Sequence, residues 1–196
     1  DVVTINNGVM SGRTTWKSNF GVGSSPIVGD WDSDGKNDIG YLNNGTLYFA
    51  RSTGSDFSGS VTPSQLTIGS GSAFAGDFNG DRATDIIKFD NGTWTVWLKT
   101  ASGFNQVLTQ GYGSAGDTPL IGDFNGDGTL DAFVANSLGQ ENRLWLNDGA
   151  AAFSGSGQSL GMEGSYATFS ADVDGDGDLD MFVGNWNDSH TVHLNT

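Results

Sequence analysis

Four copies of one short aspartate-rich segment recur along the chain, and their spacing constrains the fold more than any other feature. Their first aspartates are Asp30, Asp77, Asp123 and Asp172, which are 47, 46 and 49 residues apart. A period of roughly 40–50 residues is typical of repeats that each build one four-stranded propeller blade. The sequence therefore predicts an array of equivalent blades, each carrying one copy of the segment.

Each copy leads into an apolar stretch, a turn and a second apolar stretch. The turns Asn44-Gly45 and Asn91-Gly92 are typical of two-residue β-hairpins. The 31 glycines and the many β-branched residues disfavour long helices. We expect an all-β propeller whose aspartate loops lie between the first and second strands of each blade. The second strands are predicted at 39–42, 86–89, 132–135 and 181–184, and the third strands at 46–50, 93–98, 142–146 and 191–194.

The repeat boundaries follow from this alignment. We assign residues 22–68, 69–115, 116–164 and 165–196 to four repeats of one propeller domain, the last without its outer strand, and residues 1–21 to a partial repeat or closing strand. Residues 1–8 align with residues 38–45, so the chain is expected to begin at the last position of a fifth loop. An outer strand near residues 13–21 would complete the last blade and close a small ring. Alternatively, the chain is part of a larger propeller.

Charge and composition exclude several classes of protein. The net charge of −15 argues against nucleic-acid binding, which needs a basic surface. The chain has no cysteine, and no apolar run approaches the roughly 20 residues of a membrane-spanning helix. Of the 23 acidic residues, 21 are aspartates, and they come in short bursts. Such bursts are typical of ligands for a hard cation rather than of a solvated acidic face.

The spacing within each nine-residue loop fits calcium. Asp or Asn occupies positions 1, 3, 5 and 9, the carbonyl of position 7 adds a further oxygen, and a glycine at position 6 allows a sharp bend. We predict up to four Ca²⁺ ions. Their ligands are Asp30, Asp32, Asp34, Lys36 and Asp38; Asp77, Asn79, Asp81, Ala83 and Asp85; Asp123, Asn125, Asp127, Thr129 and Asp131; and Asp172, Asp174, Asp176, Asp178 and Asp180.

Competing interpretations of the loops fit less well. An EF-hand needs a bidentate glutamate at position 12 and flanking helices, whereas position 12 is Tyr41, Lys88, Val134 or Val183. Magnesium rarely takes an all-protein cage, and metal-free aspartate turns would leave carboxylates crowded together. We expect the second loop to bind most weakly, because Arg82 replaces the bend glycine, and the fourth most tightly.

The strings PIVGDWDSDGKNDIGYL, AGDFNGDRATDIIKF, IGDFNGDGTLDAFVA and SADVDGDGDLDMFVG resemble the FG-GAP or VCBS-type repeat. This repeat builds the head propeller of integrin α-subunits, some fungal lectins and many bacterial surface proteins. The resemblance covers nearly the whole chain. It implies a β-propeller that holds Ca²⁺ between the first and second strands of each blade, at the Asp and Asn positions given above.

No catalytic constellation is evident, so we expect a non-enzymatic protein. The histidines His190 and His193 lie near the chain end, and His193 aligns with Trp97 and Trp145 in a structural position. Aspartate pairs suited to glycoside hydrolysis occur only within the metal loops, where they are already assigned as ligands. Among the aromatic residues, Trp94 and Trp186 are the candidates for an exposed ligand-binding surface.

Three functions remain open. The first is a calcium-stabilised extracellular module for adhesion or recognition, secreted or on a cell surface, with a protein or glycan as partner. The second is a lectin-like carbohydrate-binding unit, or the accessory part of a secreted polysaccharide-active enzyme. The third is a filament subunit that self-associates through incomplete blades. Millimolar extracellular calcium suits such loops better than cytosolic calcium does.

Overall fold

The computed structural model describes residues 2–6, 9–14, 19–58, 62–150 and 152–195. These residues form β-strands and connecting turns, and no helix among them is long and apolar enough to cross a membrane. The chain divides into two compact units, Asp1–Ser70 and Gly71–Thr196. Each unit is described by itself below.

The first unit contains a hairpin and a four-stranded antiparallel sheet. The hairpin pairs β1 (Val2–Asn6) with β2 (Val9–Thr14). The sheet has its strands in chain order: β3 (Ser25–Gly29), β4 (Asp38–Asn43), β5 (Thr46–Ala50) and β6 (Thr62–Thr67). The outer strand predicted near residues 13–21 includes residues 15–18, which lie outside the described part of the chain.

The second unit contains three antiparallel sheets, again with their strands in chain order. The first consists of β7 (Ser72–Gly76), β8 (Asp85–Asp90), β9 (Thr93–Thr100) and β10 (Gly103–Gly111). The second consists of β11 (Thr118–Gly122), β12 (Asp131–Ala135), β13 (Arg143–Asn147) and β14 (Phe153–Gly155). The third has three described strands, β15 (Ser165–Ala171), β16 (Asp180–Asn185) and β17 (Thr191–His193). The expected all-β class with propeller blades is confirmed.

The register fixes the position of every aspartate loop. In each sheet, the residue that ends the first strand pairs with the aspartate that begins the second strand. These pairs are Gly29 with Asp38, Gly76 with Asp85, Gly122 with Asp131, and Ala171 with Asp180. Each loop is therefore the connection between the first two strands of its sheet, as the sequence predicts.

The Asn-Gly turns adopt the conformation that two-residue hairpins require. Asn44 and Gly45 have φ angles of 50° and 75°, and Asn91 and Gly92 have φ angles of 49° and 83°, as in a type I′ turn. A Cβ atom on Gly92 would clash with the backbone of Gly113. The hairpin tip thus packs closely against the segment that ends its repeat.

Neighbouring sheets of the second unit pack face to face through apolar side chains. Ile87, Trp94 and Val96 of its first sheet form one buried cluster with Ala132 and Val134 of its second. A similar cluster joins the second sheet to the third, through Phe133, Ala135, Leu144, Met181 and Val183. The core therefore lies between blades, and middle strands are covered on both faces.

The prediction that Trp94 belongs to an exposed ligand surface is wrong. Its side chain is 1% exposed and contacts the rings of Phe74 and Phe89. Trp94 shares a face of β9 with Val96, and that face packs on the next sheet. Alternation along β9 suggests an exposed face, but both faces of this strand are covered.

Candidate metal centre

The first aspartate of each loop folds the loop around its own carboxylate. In all four loops its Oδ2 accepts the backbone N–H of position 6, over 2.7–3.1 Å. The donors are Gly35 to Asp30, Arg82 to Asp77, Gly128 to Asp123, and Gly177 to Asp172. Side chains of this type accept local backbone bonds readily, and they hold turns in this way.

The aspartate at position 5 repeats this arrangement one turn later. Its Oδ1 accepts the backbone N–H of position 7 over 2.8–3.0 Å, from Lys36, Ala83, Thr129 and Asp178. The four loops therefore share one backbone scheme despite their different residues at positions 2, 7 and 8. All 20 predicted ligands lie within these loops.

The loops bend at two positions, whereas the sequence indicated only one. Positions 4 and 6 both have positive φ angles, and the non-glycine residues there are Ser33 at 61° and Arg82 at 68°. An L-residue in this region is strained, and glycine is not. The second loop therefore carries strain at position 6, and the first carries it at position 4.

The aspartate at position 9 fastens each loop to the sheet. All four of these residues are fully buried, and both oxygens of each carboxylate accept a backbone N–H over 2.6–3.1 Å. One donor is position 2 of the loop, and the other lies within two residues of the end of the third strand. The pairs of donors are Trp31 and Ser52 to Asp38, Phe78 and Lys99 to Asp85, Phe124 and Asn147 to Asp131, and Val173 and Asn195 to Asp180.

Burial changes the acidity of these position-9 carboxyls. Desolvation raises the pKa of Asp85 and of Asp131 to about 6, and it also raises the pKa of Asp38. The charges of the other loop aspartates act in the same direction, and the backbone N–H groups oppose them. At Asp180 the hydrogen bonds from the N–H groups of Val173 and Asn195 outweigh desolvation, so the pKa of this carboxyl is lowered.

Two loops bring three carboxylates together closely enough to share a cation. Carboxylate oxygens of Asp30, Asp32 and Asp38 lie within 4.8 Å of one another, and so do those of Asp172, Asp174 and Asp176. In the first loop, Asp32 Oδ1 is buried and has no hydrogen-bond partner in the described part of the chain. An unsatisfied carboxylate oxygen beside two further carboxylates fits a hard divalent cation.

The second and third loops replace one carboxylate by an amide. Asn79 Nδ2 donates to Asp81 Oδ2 over 3.0 Å, and Asn125 Nδ2 donates to Asp127 Oδ2 over 2.8 Å. Each amide oxygen accepts the N–H of position 5 at the same time. These loops hold three carboxylates rather than four, but the donor atoms are still oxygens alone.

Two cations lie against the carboxylates of the first loop. Lys36 Nζ is 2.6 Å from Asp34 Oδ2, and Arg51 Nε is 3.3 Å from Asp32 Oδ2. The sequence did not indicate Arg51, because it follows the third strand and meets the loop only through the fold. In the second loop, Arg82 is exposed, and its backbone N–H donates to Asp77.

The remaining sequence candidates lie near the chain end. Trp186 is 69% exposed, and its ring meets Tyr166 edge-on with centroids 5.9 Å apart. His193 pairs with Met181 across the sheet, and burial lowers the pKa of its imidazole. His190 Nδ1 accepts the backbone N–H of Asn185. Trp186 is thus available to a ligand, while both histidines have structural contacts.

Solved structures share this fold. The chain resembles a lectin of Agrocybe aegerita, described for specific recognition of non-reducing terminal N-acetylglucosamine, with a TM-score of 0.69 and 18% identity. The match covers 88% of this chain and 49% of the lectin chain, so this chain spans about half the lectin's length. It also resembles the Photorhabdus luminescens Tc holotoxin pore, with a TM-score of 0.59 and 16% identity, over 85% of this chain and 9% of that one.

Sequence comparison points to one family. No curated protein sequence matches the chain significantly. The model of the FG-GAP-like repeat matches residues 30–88, 77–134 and 123–183, so that each match begins at the first aspartate of one loop and extends past the next. These segments together span most of the chain, and the chain belongs to the FG-GAP-like repeat family.

Proposed function

We propose that this propeller is a calcium-stabilised, non-enzymatic recognition module that acts outside the cell. The observation that carries the proposal is the common loop scheme, in which the carboxylates of positions 1 and 5 bind the loop backbone and that of position 9 binds the sheet. Bound Ca²⁺ would be held by the oxygens of positions 1, 3, 5, 7 and 9. The ion would supply positive charge where each loop concentrates negative charge.

The connection at position 9 supports a structural role for the ion. Asp131 accepts N–H groups from Phe124 in the loop and from Asn147 on the third strand. A cation at this loop would therefore stabilise the contact between the loop and the sheet. A ligand that binds only the folded state adds about 2.7 kcal/mol of stability at a hundredfold excess over Kd.

Calcium titration of the intact chain tests the proposal. We expect Ca²⁺ to raise the melting temperature and EDTA to lower it, and we expect Asp174→Ala to remove one site by isothermal titration calorimetry. Asp188→Ala is the control, since Asp188 is exposed and lies outside the loops. A melting temperature that does not respond to Ca²⁺ or EDTA contradicts the proposal.

The composition of the loops also supports the proposed extracellular location and the proposed non-enzymatic role. Loop sites built from oxygen ligands alone suit millimolar calcium, which is an extracellular concentration. The acidic side chains that could serve hydrolysis are concentrated in the loops, where they accept backbone N–H groups and lie close enough together to share a cation. We propose that the partner is a protein or a glycan on an extracellular surface.

Glycan recognition is the second candidate, favoured by the exposed aromatic pair of Trp186 and Tyr166. The structural similarity to a lectin is consistent with it. Binding to a glycan array that is lost in Trp186→Ala supports this function. Val107→Ala, which removes another exposed apolar side chain, should leave binding unchanged. Equal binding by wild type and Trp186→Ala counts against Trp186 as the contact.

A further inference from the structure

Two clefts adjoin strand β13 in the second unit, and both are lined by Arg143 and Trp145. Their volumes are about 220 Å³ and about 300 Å³. Arg143, Trp145 and Asn147 alternate along β13 and share one face. Asn147 Nδ2 donates to the carbonyl of Phe78, which places this face towards the preceding sheet. The clefts therefore lie on the side of β13 that faces the neighbouring blade.

The smaller cleft combines an aromatic pair with neutral polar groups. Tyr112 stacks on Trp145 with ring centroids 4.0 Å apart and an interplanar angle of 26°. Tyr112 is fixed in turn by its hydroxyl, which donates to the carbonyl of Phe153. The side chains that line this cleft are Tyr112, Ser114, Asn136, Gln140, Arg143 and Trp145.

The larger cleft is open because a glycine lies beside the indole ring. Gly155 pairs with Trp145 across the sheet, and a Cβ atom at Gly155 would lie 3.6 Å from Trp145 Cζ3. Any larger side chain would extend over the ring. Gln158, Ser159 and Glu141 contribute the polar wall of this cleft.

The guanidinium of Arg143, like that of Arg82, has no protein partner among the described residues. It is exposed and makes no hydrogen bond or ion pair with the described residues. By contrast, Lys36, Arg51 and Lys88 are paired with aspartates, and Lys99 donates to the carbonyl of Thr100. In a chain of net charge −15, the guanidinium of Arg143 therefore stays available to pair with an anionic group of a ligand.

Trp145 also carries an unsatisfied donor. Its Nε1, like those of Trp31 and Trp94, is buried and has no hydrogen-bond partner among the described residues. A buried indole N–H normally finds a partner. Stacked aromatics, a free guanidinium and an unused donor thus occur on one face of one strand.

We infer that this face of β13 binds a carboxylate-bearing sugar, such as a uronic acid. The guanidinium pairs with a carboxylate through two parallel hydrogen bonds. The aromatic rings offer a flat apolar surface to a sugar ring, and the amides and hydroxyls of the clefts match sugar hydroxyl groups. This inference rests on the proposed recognition role and names a ligand class for it.

The balance of charges distinguishes this ligand from other anions. Phosphate-rich polymers need several cations along their path, whereas the two clefts share one. Glu141 lines the larger cleft and would repel a multiply charged anion, but its carboxylate accepts hydrogen bonds from hydroxyl groups. A ligand with a single carboxylate on a polyhydroxylated ring would pair with Arg143 and would offer hydroxyl groups to Glu141.

Titration of the calcium-loaded chain with D-glucuronate tests the inference. We expect quenching or shifting of tryptophan fluorescence and a binding isotherm, with D-glucose and acetate each binding at least about tenfold more weakly, since one charged bidentate contact is lost with glucose. Arg143→Gln should weaken glucuronate binding by about tenfold or more. Lys99→Gln removes an equal charge elsewhere and should not.

Gly155→Val tests the cleft separately from the charge. The added side chain should reduce the binding of glucuronate while leaving Arg143 in place. Thermal melts show whether each variant is folded. No binding by wild type, or binding unaffected by Arg143→Gln, overturns the inference; the latter result is expected if the sugar binds loop calcium instead. Acetate binding as tightly as glucuronate overturns the sugar assignment. None of these outcomes alters the calcium response, so the proposed function is tested independently.

Discussion

At the scale of single residues, the position-9 aspartates have two roles. Each is a predicted ligand of the proposed cation, and each also accepts two backbone N–H groups that join the loop to the sheet. The sequence indicates the first role, because the spacing of acidic side chains is visible in it. The second role depends on the third strand. For Asp85, the donor on that strand is the backbone N–H of Lys99, which lies 14 residues further along the chain. Only the folded register reveals that contact.

The raised pKa values predict how calcium binding depends on pH. The pKa of Asp131 is about 6 in the folded, metal-free protein, so a proton competes with Ca²⁺ below that pH. We expect the affinity of the third loop to fall by about tenfold between pH 7.5 and pH 5. The fourth loop should change less, because the pKa of Asp180 is lowered, and the pKa of Asp174 in the same loop is raised by less than that of Asp131. Calorimetry on variants that retain one loop each measures this, and equal pH dependence of the two loops would contradict it.

The same shifts set the pH dependence of stability without metal. A carboxyl whose folded pKa is raised binds protons more readily in the folded state than in the unfolded state. Between pH 4 and pH 6, Asp85 and Asp131 therefore make the calcium-free protein less stable as the pH rises. Urea unfolding in EDTA should show this decline, and calcium should diminish it.

Arg82 predicts the weakness of the second loop. It occupies position 6 with a φ angle of 68°, where the other three loops have glycine. We expect Arg82→Gly to strengthen calcium binding at this loop by about five- to tenfold, since it removes a positive charge and roughly 1 kcal/mol of backbone strain. The measurement is the calcium affinity of a chain with the other loops disabled.

The third loop provides the matched control for Arg82. It has the same Asp-Phe-Asn-Gly-Asp opening as the second loop, and Gly128 at position 6 has open space around it. Gly128→Arg should therefore weaken the third loop by a similar factor. If neither Arg82→Gly nor Gly128→Arg alters the calcium affinity of its loop, the residue at position 6 does not weaken the second loop.

At the scale of elements, strand positions are largely predictable from sequence and strand environments are not. The loop spacing and the Asn-Gly turns locate β4, β5, β8 and β9 to within about two residues. Trp94 is misplaced by the same reasoning, because the middle strands lie between two blades and both of their faces are covered. The cleft at Arg143 is also invisible in sequence, since it forms between two sheets.

The hairpin tips predict where the blades are least tolerant of change. Gly92→Ala should reduce the free energy of unfolding by roughly 2–4 kcal/mol, because it combines a left-handed backbone with a clash against Gly113. Gly23→Ala is the control. Gly23 has a φ angle of 77° but no atom near its Cβ position, so only about 1 kcal/mol is expected there. Urea unfolding measures both, and equal losses would show that the clash is relieved.

At the scale of the whole molecule, the net charge of −15 opposes folding of a chain with eight basic residues. Fourteen of the acidic residues are predicted to bind the ion through their carboxylates, so the repulsion is concentrated in the loops. Each bound Ca²⁺ offsets two of these charges. Under the proposed calcium binding, the ion would therefore act on both the local loop conformation and the total electrostatic free energy.

Salt separates these two contributions. Raising ionic strength from about 0.01 M to about 0.15 M shortens the screening length from about 30 Å to about 8 Å. The melting temperature of the protein in EDTA should rise across this range, while that of the calcium-loaded protein should change little. Choline chloride serves as the salt, since its bulky cation does not fit the loops and acts by screening alone. If the calcium-free protein is insensitive to salt, repulsion between loop carboxylates is not what calcium relieves, and its effect lies in the loop conformation instead.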